Sequence, residues 1–168
     1  MNTNYTVMES PVGELLLCAD TAGRITGLHF LNGHRMPARD SSWVLDEQAL
    51  APLTRQLEEY FARKRHKFEV ELAPSGTPFQ LEVWRALCEI PYGETASYGE
   101  IAATVGQPGA ARAVGGANNR NPIAIIIPCH RVIGAGGSLT GYGGGLPRKR
   151  RLLALETDQS EIAQQLFV

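Results

Sequence analysis

The chain has 168 residues, 43% of them hydrophobic, with 16 Lys and Arg against 17 Asp and Glu; this suffices for one ordinary domain or two small ones with modest cores. No stretch approaches the apolar length of a membrane span, and the N-terminus, MNTNYTVMES, has no basic start followed by an apolar segment, so neither a membrane partner nor a signal peptide is expected. The three cysteines are widely spaced and form no C-x-x-C, which argues against a disulfide framework and for a reducing compartment, the cytoplasm; Cys18, His29 and His34 are too irregularly placed to argue for zinc.

Along the chain, YTVME, GELLLCAD and GRITGLHFL are β-prone runs separated by the turn signals SPVG and DTAG, which predicts a short antiparallel meander. A helix is expected over Glu47 to Ala62, with Leu50, Leu53, Leu57 and Phe61 on one face and Pro52 either in its first turn or kinking it. HKFEVEL then has the pattern of a further strand. The basic run Arg63 to Lys67 suits a nucleic-acid patch, but a solvated helix end explains it as well, because Lys and Arg favour helix C-termini. APSGTP, Ala73 to Pro78, is the expected boundary between an N-terminal unit, 1–76, and a C-terminal unit, 77–168. Residues 1–76 carry 8 basic and 10 acidic side chains, residues 77–157 carry 8 and 5, so the second unit is mildly basic, which is compatible with a nucleic-acid partner without requiring one.

The second unit is expected to be mostly helical. Thr77, Pro78 and Gln80 match an N-cap, a first-turn proline and a capping-box partner, with Phe79, Val83, Trp84 and Leu87 as the apolar stripe. Ser97 to Glu100 is a second capping box, opening YGEIAATV; GQPG ends that helix and AARAVGGANN forms the next, the layout of a helix-turn-helix. In that last helix Ala110, Val114 and Ala117 can pack inward, while Arg112, Gly115, Gly116 and Asn119 share the opposite face. Two glycines inside a helix cost about 1 kcal/mol each relative to alanine. Close packing against another element would explain them, and so would a helix kept bare to approach a narrow minor groove with one arginine standing out. The apolar run Ile123 to Ile127 is expected to be a strand ending at Pro128-Cys129-His130-Arg131. Gly134 to Gly145 is a glycine-rich loop around Tyr142 that lacks the order of a phosphate loop, and Pro147 opens a last helix with Glu156 near its end.

A cysteine attacks as thiolate, and at its ordinary pKa of about 8.5 it is mostly protonated at neutral pH. A histidine can take that proton and a carboxylate can fix the histidine's tautomer. Cys129 and His130 supply two such members and Glu156 is the candidate third. Adjacent residues of a strand face opposite ways, so a Cys129–His130 pair needs a turn at Pro128 or a bridging water. These residues leave open a Cys-His-Glu hydrolase or acyltransferase, which would turn over acyl substrates without DNA, a non-catalytic DNA-binding protein, and a buried, inert cysteine.

RAVGGA, NPI, IPCHRVIG and GYGGG, in this order and spacing, resemble the O6-alkylguanine-DNA alkyltransferases, the methylated-DNA–protein-cysteine methyltransferases. The resemblance is specific over 77–157 and looser over 1–76. It implies an α/β N-terminal domain, ribonuclease-H-like with a small antiparallel sheet and a helix, followed by a mostly α, winged-helix-like C-terminal domain. It implies a cytoplasmic protein, monomeric when free, whose partner is double-stranded DNA with alkylated bases and which needs no cofactor or metal. By resemblance, Cys129 is the alkyl acceptor, His130 the base acting through a water, and Glu156 its orienting carboxylate. Asn121 is the hinge between DNA-reading helix and active site. Arg112 fills the gap left by the flipped base, on a face shared with Gly115, Gly116 and Asn119. Tyr98 crowds the phosphate and offers a proton to the leaving base. Tyr142 walls the guanine pocket, and the carbonyls of Cys129 and Val132 accept from the guanine amino group. Gly143 stands where some relatives have serine, so only its backbone N–H can meet the guanine oxygen. The zinc site of some relatives has no counterpart. The alkyltransferase-like DNA-binding proteins usually carry another residue at the position of Cys129, so the intact cysteine points away from them.

Overall fold

The computed structural model describes residues 2–31, 41–139, 142 and 144–157. His34, Gly143 and the tail 158–168 lie outside the described residues, and with them the expectations placed there.

The N-terminal unit is built as expected from its alternation. Strands β1 (Asn4–Met8), β2 (Leu15–Ala19) and β3 (Ile25–Phe30) pair antiparallel in sequence order. A short β4 (Val44–Leu45), absent from the sequence reading, adds to β1 in parallel, so the sheet is mixed, in the order β3-β2-β1-β4. Helix α1 (Glu47–Phe61) starts at Asp46, whose side chain accepts from the Ala49 N–H. Its buried face is Leu50, Leu53, Gln56, Leu57 and Tyr60; Phe61, expected there, is only half-buried. Pro52 falls in the second turn of α1, not the first.

The strand expected at HKFEVEL does not form. The chain there runs beside β3 and makes a single parallel bridge, Ile25 to Leu72, with Ile25 N–H donating to Glu71 O at 2.8 Å and Ala73 N–H to Ile25 O at 2.8 Å. Further along the same β3 edge a second segment docks: Leu28 N–H donates to Pro122 O at 3.0 Å and Ala124 N–H to Leu28 O at 3.1 Å. The free edge of the N-terminal sheet thus holds both the inter-domain linker and the segment that leads to Cys129.

In the C-terminal unit, α2 (Pro78–Leu87) and α3 (Tyr98–Thr104) each open on a complete capping box, Thr77 with Gln80 and Ser97 with Glu100. Cys88 caps the end of α2 and is exposed, not in the core. Helix α4 (Ala111–Asn119) packs against α2 and α3 through Val114, Ala117 and Asn118, and buried Trp84 donates its indole N–H to Ala117 O at 2.9 Å. A two-stranded parallel ribbon joins β5 (Ala96–Ser97) to β6 (Val132–Ile133). Helix α5 (Leu146–Thr157) closes the described chain and lies against the turn that carries Cys129. No helix among the described residues is long and apolar enough to cross a membrane.

Candidate active site

The apolar run before Cys129 is a buried turn, not the expected strand. Only Ile123 bridges to a sheet; Ile127 N–H then donates back to Ile123 O at 3.0 Å, and Ile125 sits at φ 71°, a left-handed conformation rare for a β-branched residue. Asn121 shapes the turn from inside: its Oδ1 accepts from Ile123 N–H at 3.0 Å and its Nδ2 donates to Ile127 O at 2.7 Å. A compact turn, which buries Ile123, Ala124, Ile125 and Ile127 and leaves Ile126 half-buried, needs an apolar run as much as a buried strand does, so the pattern could not separate them.

The turn delivers Pro128, after which Cys129–Arg131 form one 3₁₀ turn. This changes how two adjacent side chains can be used. Cys129, 5% exposed, lines a cavity shared with Asn118, Asn119, Asn121, Tyr142 and, from β3, Phe30. His130 turns the other way into the protein, where its Nε2 lies 2.7 Å from Glu156 Oε2. No hydrogen bond joins Cys129 to His130 directly among the described residues, and His130 Nδ1 is buried without a partner.

Glu156 accepts from four donors: Tyr60 Oη at 2.6 Å and His130 Nε2 at 2.7 Å, with Arg131 Nε at 2.7 Å and Nη2 at 3.0 Å. Burial alone would raise its pKa, but His130 and Arg131 outweigh that and hold the carboxyl well below the carboxylate range. An anion on this side fixes His130 with its proton on Nε2 and leaves Nδ1 as the basic nitrogen.

Burial pushes the Cys129 thiol up, opposed by a hydrogen bond from Asn121, the charge of Lys149 and the Tyr142 hydroxyl. Lys149 is fully buried, donates from Nζ to Val132 O at 2.6 Å, and has its pKa brought down to about 8 by desolvation. Among the described residues the Tyr142 hydroxyl has no partner of ordinary hydrogen-bond geometry, yet it lies close enough to Cys129 to bear on its thiol; burial first, then Cys129, raises the phenol well above 10.0. Gly144 is required here, since a Cβ would come within 2.6 Å of the Phe30 ring and 2.8 Å of Tyr142.

Of the expected site residues, Cys129, His130, Glu156, Asn121 and Tyr142 are thus brought together, and Asn119 reaches the cavity rim. The Val132 carbonyl already accepts from Lys149 Nζ, and the Cys129 carbonyl from Asn118 Nδ2 and the Val132 N–H. Tyr98 does not line the cavity; its ring lies over α4, 3.9 Å from where a Gly115 Cβ would stand. Arg112 is exposed on α4 and makes no ion pair with Glu94 or Glu100 among the described residues. An added Cβ at Gly116 would meet only Arg120, at an ordinary 3.6 Å, so packing inside the protein requires neither glycine.

The sequence reading missed Tyr60, Asn118, Arg131 and Lys149. Two had a signal: Lys149 shares the i, i+3, i+4, i+7 spacing of Leu152, Leu153 and Glu156, and Tyr60 continues the spacing of Leu50, Leu53 and Leu57. Among the described residues no group of three or more His, Cys, Asp or Glu is placed to hold a metal.

Comparison with known proteins identifies the family. The ribonuclease-like domain model of the 6-O-methylguanine DNA methyltransferases matches residues 3–74 and their DNA binding domain model residues 78–158. A methylated-DNA–protein-cysteine methyltransferase of Methanosarcina acetivorans is 55% identical over 152 residues, 90% of this chain and 97% of that relative. One from Mycobacterium tuberculosis is 52% identical over 164 residues, 98% of each chain. The crystal structure of Mycobacterium tuberculosis OGT in complex with DNA has a TM-score of 0.87 at 49% identity, covering 100% of both chains. With two domain models spanning most of its length and relatives above half identity, the chain belongs to the 6-O-methylguanine DNA methyltransferase family.

Proposed function

We propose that this chain repairs DNA directly, by moving the alkyl group of O6-alkylguanine, with O4-alkylthymine as a second substrate class, onto Cys129. The observation that carries the reading is the buried His130–Glu156 contact of 2.7 Å immediately behind a cavity-lining cysteine. The thiol proton passes through a water to His130 Nδ1, while Lys149 and Asn121 favour the thiolate. The sulfur then displaces the guanine O6 from the alkyl carbon: the S–C bond forms, the C–O bond breaks, and the electron pair leaves with the base, which is protonated as it departs. The product is a thioether. It has no carbonyl for water to attack, so each chain acts once.

The partner in this reading is duplex DNA. The base edge carrying the adduct is inside the helix, so the nucleotide is flipped into the cavity at a cost of a few kcal/mol. Tyr142 and Phe30 form its aromatic walls. The outer face of α4, with Arg112, Gly115, Gly116 and Asn119, enters the minor groove, and Tyr98 beside it crowds the phosphate. Division of labour follows a boundary at 76/77, with the second unit reading DNA and performing the transfer. Free Cys18, Cys88 and Cys129 and a DNA substrate suit the cytoplasm, and the protein acts as a monomer.

Intact mass after incubation with a duplex containing O6-methylguanine should rise by one methyl group per chain, and peptide mapping should place it on Cys129. A methyl on Cys18 or Cys88, or a released product with turnover, would overturn the reading.

A further inference from the structure

We propose that Tyr60, from the N-terminal domain, is a positioning residue for the transfer: its hydroxyl holds Glu156 and thereby sets how tightly His130 keeps its proton. The inference rests on the reading of His130 as the base. Tyr60 is fully buried near the end of α1 and its hydroxyl donates to Glu156 Oε2 at 2.6 Å, the same oxygen that takes the His130 Nε2 proton. Its ring is fixed edge-on to Tyr92, with centroids 6.2 Å apart, and packs against Phe68 at 5.5 Å. The hydroxyl is therefore aimed by packing and not free to find another acceptor.

The groups around this carboxylate come from several elements. Tyr60 reaches it from α1, His130 and Arg131 from the 3₁₀ turn, and Tyr142, farther off, from the glycine-rich loop; Tyr92, after α2, lies against Tyr60 and below the Arg131 guanidinium. Arg131 is committed twice, since its Nη1 also donates to Ile90 O at 2.7 Å. Tyr60 and His130 therefore share Oε2, to which Arg131 Nη2 also donates at 3.0 Å, while Arg131 Nε takes Oε1. Each donor on Oε2 draws charge from the others. With the Tyr60 hydroxyl present, the carboxylate stabilises the imidazolium less, and His130 Nδ1 gives and takes a proton at lower pH. Without it, the imidazolium is held more firmly.

The test is the single-turnover rate of methyl transfer from an O6-methylguanine duplex, measured across the pH range in which imidazole titrates. In Tyr60→Phe the rising limb should move to higher pH, by up to about one unit, with the plateau rate little changed. The ¹⁵N signals of the His130 ring should titrate with the same displacement, a readout independent of activity. A limb that stays in place, with the rate either unchanged or lowered equally at every pH, would overturn the proposal, because a purely structural tyrosine predicts that. If Tyr60→Phe does not fold, 3-fluorotyrosine at position 60 keeps the ring and strengthens the donor. The limb should then move to lower pH, and an unmoved limb again overturns the proposal. His130→Ala separates the two readings: if the limb survives in that variant, His130 is not the base and the role of Tyr60 falls with it. If the limb disappears there but does not move in Tyr60→Phe, only the role of Tyr60 falls.

Discussion

Glu156 is at once a participant and a structural anchor, and its two roles separate by measurement. In Glu156→Gln the Arg131 guanidinium, 7% exposed, loses its counter-charge, and breaking a buried pair costs about 3–5 kcal/mol. His130→Ala leaves the Glu156–Arg131 pair intact, so we expect a transfer rate lower by about 10²–10⁴-fold with a much smaller loss in denaturant stability. Because the folded state holds the Glu156 carboxyl below its ordinary 4.5, its contribution is present above that value and is lost only as pH falls further. The acid-side decline of stability should therefore flatten in Glu156→Gln. Lys149 gives a slope of the same sign in a more alkaline window. Its folded value of about 8 lies below the ordinary 10.5, so between the two the unfolded chain binds the extra proton and stability rises with pH. Lys149→Met should abolish that rise in pH-dependent denaturation. It should also slow transfer from the free modified base at neutral pH, where the ammonium favours the thiolate.

At the scale of elements, α4 carries the sharpest contrast between stability and use. Neither Gly115 nor Gly116 is demanded by packing, so Gly116→Ala should stabilise the protein, by up to about 1 kcal/mol, while weakening duplex binding; Gly116→Leu should weaken it more without changing reactivity toward the free base. Arg112→Ala should slow transfer on duplex DNA far more than on the free base, since only the duplex requires flipping. An equal loss on both would return Arg112 to a supporting role. The elements also show what a sequence can disclose. The starts of α2 and α3 were legible because Thr77 with Gln80 and Ser97 with Glu100 settle them within four residues. The turn at 123–127 was not, because its form depends on Leu28 and on the Asn121 side chain folding the run back. Cys129 and His130 were visible as neighbours. Glu156 was named as the candidate carboxylate, but nothing in the spacing could bring it close to His130, and Tyr60 stands 96 residues from the carboxylate it touches, a separation across which spacing carries no signal.

For the whole molecule, the two domains are joined by more than surface contact. The β3 edge pairs with Pro122 and Ala124, Tyr60 reaches Glu156, and Arg148 donates to Val12 O at 2.8 Å while lying over the Phe30 ring at 5.0 Å. Separating the domains would give up these hydrogen bonds, each worth about 0.5–1.5 kcal/mol net, and expose the apolar surface packed between them. Thermal unfolding should therefore be a single transition, with matching calorimetric and van't Hoff enthalpies; slow-exchanging amides in β2 and α2 should open with the same free energy. Two separated transitions would show that the linker, not the interface, couples them.

The depth of Cys129 also bears on how the protein survives until it is needed. A side chain that can be used once is lost if a peroxide or stray electrophile reaches it first. Those reagents attack thiolates that solvent can reach. Burial pushes the thiols of both Cys129 and Cys88 toward the protonated form, but Cys129 is sheltered by its enclosure, whereas Cys88 stands exposed at the end of α2. In a limited iodoacetamide reaction Cys88 should be labelled well before Cys129, with the repair capacity of the sample intact. The enclosure that makes flipping the base necessary is also what preserves the sulfur for it.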